Sequence, residues 1–219
     1  MKKVAIIGAS GRTGKELVEQ SIKMGLHPVC LVRDKSKLTF DHNKASIVIG
    51  SPIEYNDVIK TIEDCSCVLV ALNISRKSDW PWAQVTTPLN LFSECTKNIV
   101  KAMDEKGLKR IITVSAWGVG DSYEETNWIF KFLINRTNVG KAYLGHEDQE
   151  KLLRNSNLNW TSVRPVGLTN GKNHKPILIR TKKEHPLKLR ISRKDVAKFM
   201  LDILDDEKYF KSCPSISNA

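Results

Sequence analysis

No run of about 18 apolar residues occurs in the chain, which excludes an ordinary membrane-spanning helix. Cysteine is sparse and odd in number: Cys30, Cys65, Cys67, Cys95 and Cys213. None stands at zinc spacing from a histidine, so neither a metal site nor a disulfide framework is expected. Most sit in apolar segments and read as reduced, buried thiols of a cytoplasmic protein. An export signal is also missing. Met1-Lys2-Lys3 leads into a short apolar run, Val4–Ile7, with no cleavage site after it. There is no internal repeat, low-complexity tract or flexible linker. No helix-turn-helix, zinc or RNA-binding signature accompanies the net charge of +11, so nucleic acid is not an expected partner. The basic excess, concentrated between Lys172 and Lys198, suits an anionic cofactor or substrate, or a solvated basic face.

What is present is a regular alternation. The chain has 219 residues, which at roughly 150 per domain allows a single domain spanning 1–219. Val4–Ile7, Val29–Val32, Ile47–Ile49, Val68–Leu72, Arg110–Ser115 and Trp160–Val163 read as strands, several of them continuous apolar runs buried on both faces. Helical stretches lie between them: Thr13–Met24 ended by Gly25, Asp57–Glu63, Pro88–Glu105 ended by Gly107, Tyr123–Asn135 and Tyr143–Asn155. Short strands near Ile177–Arg180 and Lys188–Ile191 and a helix from Lys194 to about Leu204 follow. The pattern implies an α/β doubly wound parallel sheet of Rossmann type, with segment 165–219 completing a substrate pocket.

The first strand runs into Gly8-Ala9-Ser10-Gly11-Arg12-Thr13-Gly14, and a helix follows. A glycine pattern in this context is a dinucleotide loop. Gly8 permits the tight turn, Gly11 lets backbone approach the pyrophosphate, and Gly14 allows helix to pack on strand. The helix N-terminus offers N–H groups and partial positive charge to the anion, so Ser10, Arg12 and Thr13 join the candidate cofactor residues.

The Gly-x-x-Gly-x-x-Gly spacing resembles the short-chain dehydrogenase/reductase superfamily, and more closely its small atypical members. These are the NmrA-like, NADH-flavin reductase and biliverdin reductase B-like proteins. Besides Val4–Gly14, the resemblance is carried by Leu31-Val32-Arg33-Asp34 with Leu38, Asn98–Met103, Thr113-Val114-Ser115-Ala116 and Arg164-Pro165, which span nearly the whole chain in order. One departure is that the loop after the sixth strand, Arg164-Pro165-Val166-Gly167, lacks the histidine of biliverdin reductase B-like proteins. That puts biliverdin reduction in doubt.

Arg33, 19 residues after Gly14, ends the second strand where the adenosine ribose belongs. A guanidinium there can pair with a 2′-phosphate, with Arg12 and Lys37 adding charge, so NADP is the expected cofactor. The alternative is that Asp34 holds an NAD ribose. The resemblance places Leu72, Asn73, Pro165 and Val166 around the nicotinamide, and Ser115 facing the substrate.

The Tyr-x-x-x-Lys pair of ordinary short-chain dehydrogenases is absent. Four residues after Tyr55, Tyr123, Tyr143 and Tyr209 come Ile59, Asn127, Glu147 and Cys213. Hydride transfer to a flavin, quinone or other conjugated acceptor, with solvent protonation, fits that absence. Ser115 is then expected to donate a hydrogen bond to the acceptor. His146 and Glu150 share a helix face, either as a proton relay or as a solvated surface pair. Trp80 and Trp82 either stack on a planar acceptor or pack against a neighbour or dimer partner. A monomer or homodimer is expected. Two other functions stay open: an NmrA-like dinucleotide sensor without turnover, and an atypical isomerase or epimerase.

Overall fold

A computed structural model describes residues 1–38, 42–171, 173–181 and 186–219. The strands are β1 (Lys3–Ile7), β2 (His27–Val32), β3 (Ser46–Ile49), β4 (Cys67–Val70), β5 (Arg110–Val114), β6 (Asn159–Pro165), β7 (Gly167–Thr169), β8 (Ile177–Arg180), β9 (Arg190–Ser192) and β10 (Ser215–Asn218). The helices are α1 (Arg12–Lys23), α2 (Tyr55–Ile62), α3 (Leu91–Glu105), α4 (Trp128–Arg136), α5 (Val139–Arg154) and α6 (Arg193–Asp202).

The main sheet has the order β3-β2-β1-β4-β5-β6-β10-β8. All neighbours are parallel except β10 and β8. Strand order reverses at β1, so the crevice beyond the carboxyl ends of β1 and β4 is where such a sheet binds ligands. Alternation along each strand feeds two cores. In β1, Val4 and Ile6 face a cluster with Leu17 and Val18 of α1 and Val196 and Met200 of α6. Ala5 and Ile7 face the opposite cluster, with Val58 and Ile62 of α2, Ile99 and Met103 of α3 and Leu153 of α5. Both faces of the sheet are therefore covered, which is why its strands read as unbroken apolar runs.

The late segment joins this sheet. β10 lies parallel to β6, pairing Ser215 with Arg164, and β8 runs antiparallel to β10. β7 and β9 form a separate parallel pair.

Some expected boundaries shift. The helix expected over Tyr123–Asn135 is broken into a 3₁₀ turn, Gly120–Glu125, and α4. Asn127 interrupts it, because its side chain accepts from Phe130 N at 3.0 Å and caps a new helix. The helix expected from Tyr143 begins a turn earlier, at Val139. No helix among the described residues is long and apolar enough to cross a membrane. The five cysteines are free, and burial pushes each thiol up to about 12 or beyond.

Candidate functional site: a cleft at the switch point of the sheet

β1 delivers the glycine loop to the carboxyl edge of the sheet. Gly8 has φ +91°, and a Cβ there would stand 2.6 Å from the Ala71 carbonyl oxygen. At Gly14 a Cβ would fall 2.0 Å from the Gly8 oxygen. Both glycines are thus demanded by the loop's own packing. Gly11 differs. Its φ of −74° suits any residue, and a Cβ would meet only the Gly8 oxygen, at 3.2 Å, and the Ala71 oxygen, at 3.8 Å. It is exposed, and it leaves α1 without a side-chain cap. The first-turn N–H groups of α1 are consequently open to an anion on this side. An uncapped helix behind a loop whose outer position carries no Cβ fits a dinucleotide pyrophosphate.

From this loop a cleft of about 810 Å³ runs across the ends of β4, β5 and β6. Gly11, Arg12 and Thr13 form one end, Leu72 and Asn73 one side, and Pro165 and Val166 another. Ser115, Trp117, Asn138, Tyr143 and His146 form the far wall. Nine of the expected site residues thus share one concavity. Gly8, Ser10 and Gly14 lie in the loop behind it. Arg33 follows β2 directly, exposed and without a partner among the described residues. Asp34 caps a 3₁₀ turn, accepting from Ser36 N at 2.9 Å and Ser36 Oγ at 2.7 Å. This directs its carboxylate to local backbone. The side chain of Lys37 lies outside the described residues.

Arg12 does not stand free beside the loop. It pairs through both terminal nitrogens with Asp79, at 3.2 and 3.3 Å, and holds that carboxyl below its usual range. Asp79 belongs to the segment after β4, which crosses back on itself through an Arg76–Val85 bridge. Arg76 and Arg193 line the same mouth.

Beneath the far wall lies a buried ion pair. Arg164 Nε and Nη2 donate to Glu150 Oε1 and Oε2 at 3.0 and 2.6 Å. Ser115 and Ser162 donate to Oε1 at 2.8 and 3.0 Å. Burial works to raise the Glu150 carboxyl, but the Arg164 bonds overcome it and the serines add to them. The group rests below the usual carboxylate range.

This corrects the reading of His146 and Glu150 as a solvated surface pair. Both are buried, at 4% and 3% exposure, because α5 turns this face onto α3 and the sheet. Nor are they joined as a relay, since the bonds of Glu150 go to Ser115, Ser162 and Arg164. His146 packs on Phe92, ring centroids 4.4 Å apart, and its Nδ1 has no partner among the described residues. Desolvation pulls its pKa down to about 4, so it is neutral near pH 7. Trp80 and Trp82 lie against each other at 5.3 Å, largely exposed, and neither lines the cleft among the described residues.

Comparison with known proteins supplies the family. A family model described as NAD(P)H-binding matches residues 8–207. An uncharacterized chloroplastic protein of Arabidopsis thaliana is 30% identical over 178 residues, covering 77% of this chain and 60% of its own length. The chain thus spans about three fifths of that relative. A UPF0659 protein of Saccharomyces cerevisiae is 25% identical over 207 residues, covering 92% of this chain and 86% of its own. Among solved structures, a short-chain dehydrogenase/reductase of Veillonella parvula in complex with NADP superposes with TM-score 0.77 at 22% identity, over 99% of this chain and 94% of that one. An anaerobilin reductase of Escherichia coli O157:H7 does so with TM-score 0.77 at 19% identity, over 99% and 97%. At these identities the structures establish a shared Rossmann fold.

Proposed function

The chain belongs to the NAD(P)H-binding family, and on that premise we propose that it is an NADPH-dependent reductase whose substrate is a flavin, quinone or similar conjugated acceptor. The observation that carries this reading is the cleft itself. It joins an uncapped glycine-loop helix at one end to a wall of Phe130, Trp117 and Tyr143 at the other, with the ends of β4, β5 and β6 between. Aromatic walls suit a planar molecule.

When bound, the dinucleotide supplies hydride. The α1 N-terminus would hold its pyrophosphate, Arg33 its 2′-phosphate, and Leu72, Asn73, Pro165 and Val166 would enclose the nicotinamide end. No side chain of the far wall is a proton donor near neutrality. Burial raises the Tyr143 hydroxyl to about 12, His146 is neutral, and Glu150 is ionised. The proton that balances the hydride is therefore drawn from water, which an electron-poor acceptor tolerates once reduced.

Steady-state oxidation of NADPH and NADH with free flavins and simple quinones tests the proposal. The expected result is turnover with NADPH preferred. Tight dinucleotide binding with no turnover on any acceptor would instead make the chain a sensor.

A further inference from the structure

Four polar side chains of the far wall share one property: Ser115, Trp117, Asn138 and Tyr143 commit their protons to the protein. Ser115 Oγ donates to Glu150 at 2.8 Å, and the direction is fixed, because a carboxylate gripped by Arg164 through both oxygens can only accept. Tyr143 Oη donates to the Trp117 carbonyl at 3.3 Å, which carries no proton to give. Asn138 Nδ2 donates to the Trp82 and Ala83 carbonyls at 2.9 and 3.2 Å, committing both amide protons. Trp117 Nε1 points to Glu125 Oε2 at 3.4 Å. What these four leave for the cleft is lone pairs, on Ser115 Oγ, Tyr143 Oη and Asn138 Oδ1. His146, neutral, carries one ring N–H and one lone pair, and is the one side chain of this wall with a proton to offer.

We propose that this wall recognises its substrate through hydrogen bonds that the substrate donates. It selects planar acceptors carrying ring N–H groups of the imide or pyrrole type, and disfavours quinones, whose polar edges are carbonyl oxygens alone. A quinone oxygen against Ser115 and Tyr143 would lose its water and meet other lone pairs. An unsatisfied buried acceptor of this kind lowers affinity roughly ten- to a hundredfold. The expectation that Ser115 acts as a donor is reversed by Glu150. Glu150 is a positioning residue here, since it fixes the orientation of the serine proton without touching the substrate.

This inference rests on the reductase reading, and binding separates the two. The probes are lumiflavin, which has an imide N–H, its N3-methyl derivative, and menadione, which has no N–H. Affinities are measured by tryptophan fluorescence quenching on the protein held with NADP⁺, for the wild type and the Ser115→Ala and Tyr143→Phe variants. A melting curve on each variant checks folding. The expected order is lumiflavin about tenfold tighter than its methyl derivative, with menadione weakest. In the variants the gap narrows because lumiflavin weakens. If it narrows because the methyl compound gains, the discrimination is steric and the inference falls. Equal affinities, or tighter menadione, overturn it while leaving the reductase reading intact if any of the three oxidises NADPH. A protein that neither binds nor turns over any of them overturns both.

Discussion

Arg164 Nη2 stands 2.6 Å from Glu150 Oε2, and the two side chains are 2% and 3% exposed. Removing one partner of such a pair strands the other charge away from water. Glu150→Ala should therefore cost about 3–5 kcal/mol, read as a lower denaturant midpoint. Asp121, 2.8 Å from Arg164 but 80% exposed, is too well solvated to take over the role. Replacing both residues with apolar side chains of similar volume should recover most of the loss. A single variant with wild-type stability would show that the pair is not closed to solvent.

His146 sets an acid limit on stability. The unfolded chain protonates this residue below about pH 6.5, while the native imidazole resists until about 4. The folded pKa is depressed, so stability falls between those two values as the unfolded state gains a proton the native state refuses. The loss is up to about 3 kcal/mol. Glu150 acts lower down. Its depressed carboxyl contributes stability above its ordinary value of 4.5, and that contribution is lost as pH falls through the native value. Denaturant titrations of the wild type and His146→Phe between pH 7 and 4 check this. The variant should be flatter over the range, and parallel slopes would contradict the burial of an uncharged ring.

The glycines of the loop separate stability from binding. Gly14→Ala drives a methyl into the Gly8 carbonyl and should lower the melting temperature along with affinity. Gly11→Asp makes one tight contact, its Cβ 3.2 Å from the Gly8 oxygen, far milder than the clash at Gly14, but it places a carboxylate where the pyrophosphate would approach. It should abolish calorimetric NADPH binding while leaving the melting temperature within a few degrees of wild type. Near-normal NADPH affinity in this variant would remove the loop from the cofactor site.

The parts of the fold legible in the sequence are those where local chemistry and tertiary packing agree. Val4–Ile7 before Gly8 declares a doubly buried strand and its turn together, and most of the parallel sheet follows from repeats of that pattern. β10 was not legible, because Ser215-Ile216-Ser217-Asn218 has no apolar run. It is a strand only because β6 and β8 flank it and bury its serines. The cofactor half of the site could be read from spacing. Of the far wall, Ser115 and His146 were expected but Tyr143 and Asn138 were not, since they come from the inward face of α5 and its N-cap, which carry polar residues. One signal was available: Arg164, inside the otherwise uncharged strand Asn159–Pro165, requires a buried anion, and Glu150 is the carboxylate that α5 brings to it.

The ratio of kcat/KM for NADPH over NADH, measured with lumiflavin as acceptor for the wild type and Arg33→Ala, tests the account most directly, because it demands both turnover and reading of the 2′-phosphate. Arg33 follows β2 directly, exposed and without a partner among the described residues. The account predicts oxidation with NADPH strongly preferred, and a ratio that falls by about ten- to a hundredfold in the variant, through loss of NADPH rather than gain of NADH. No oxidation of either dinucleotide, or a ratio unmoved by the substitution, would contradict it.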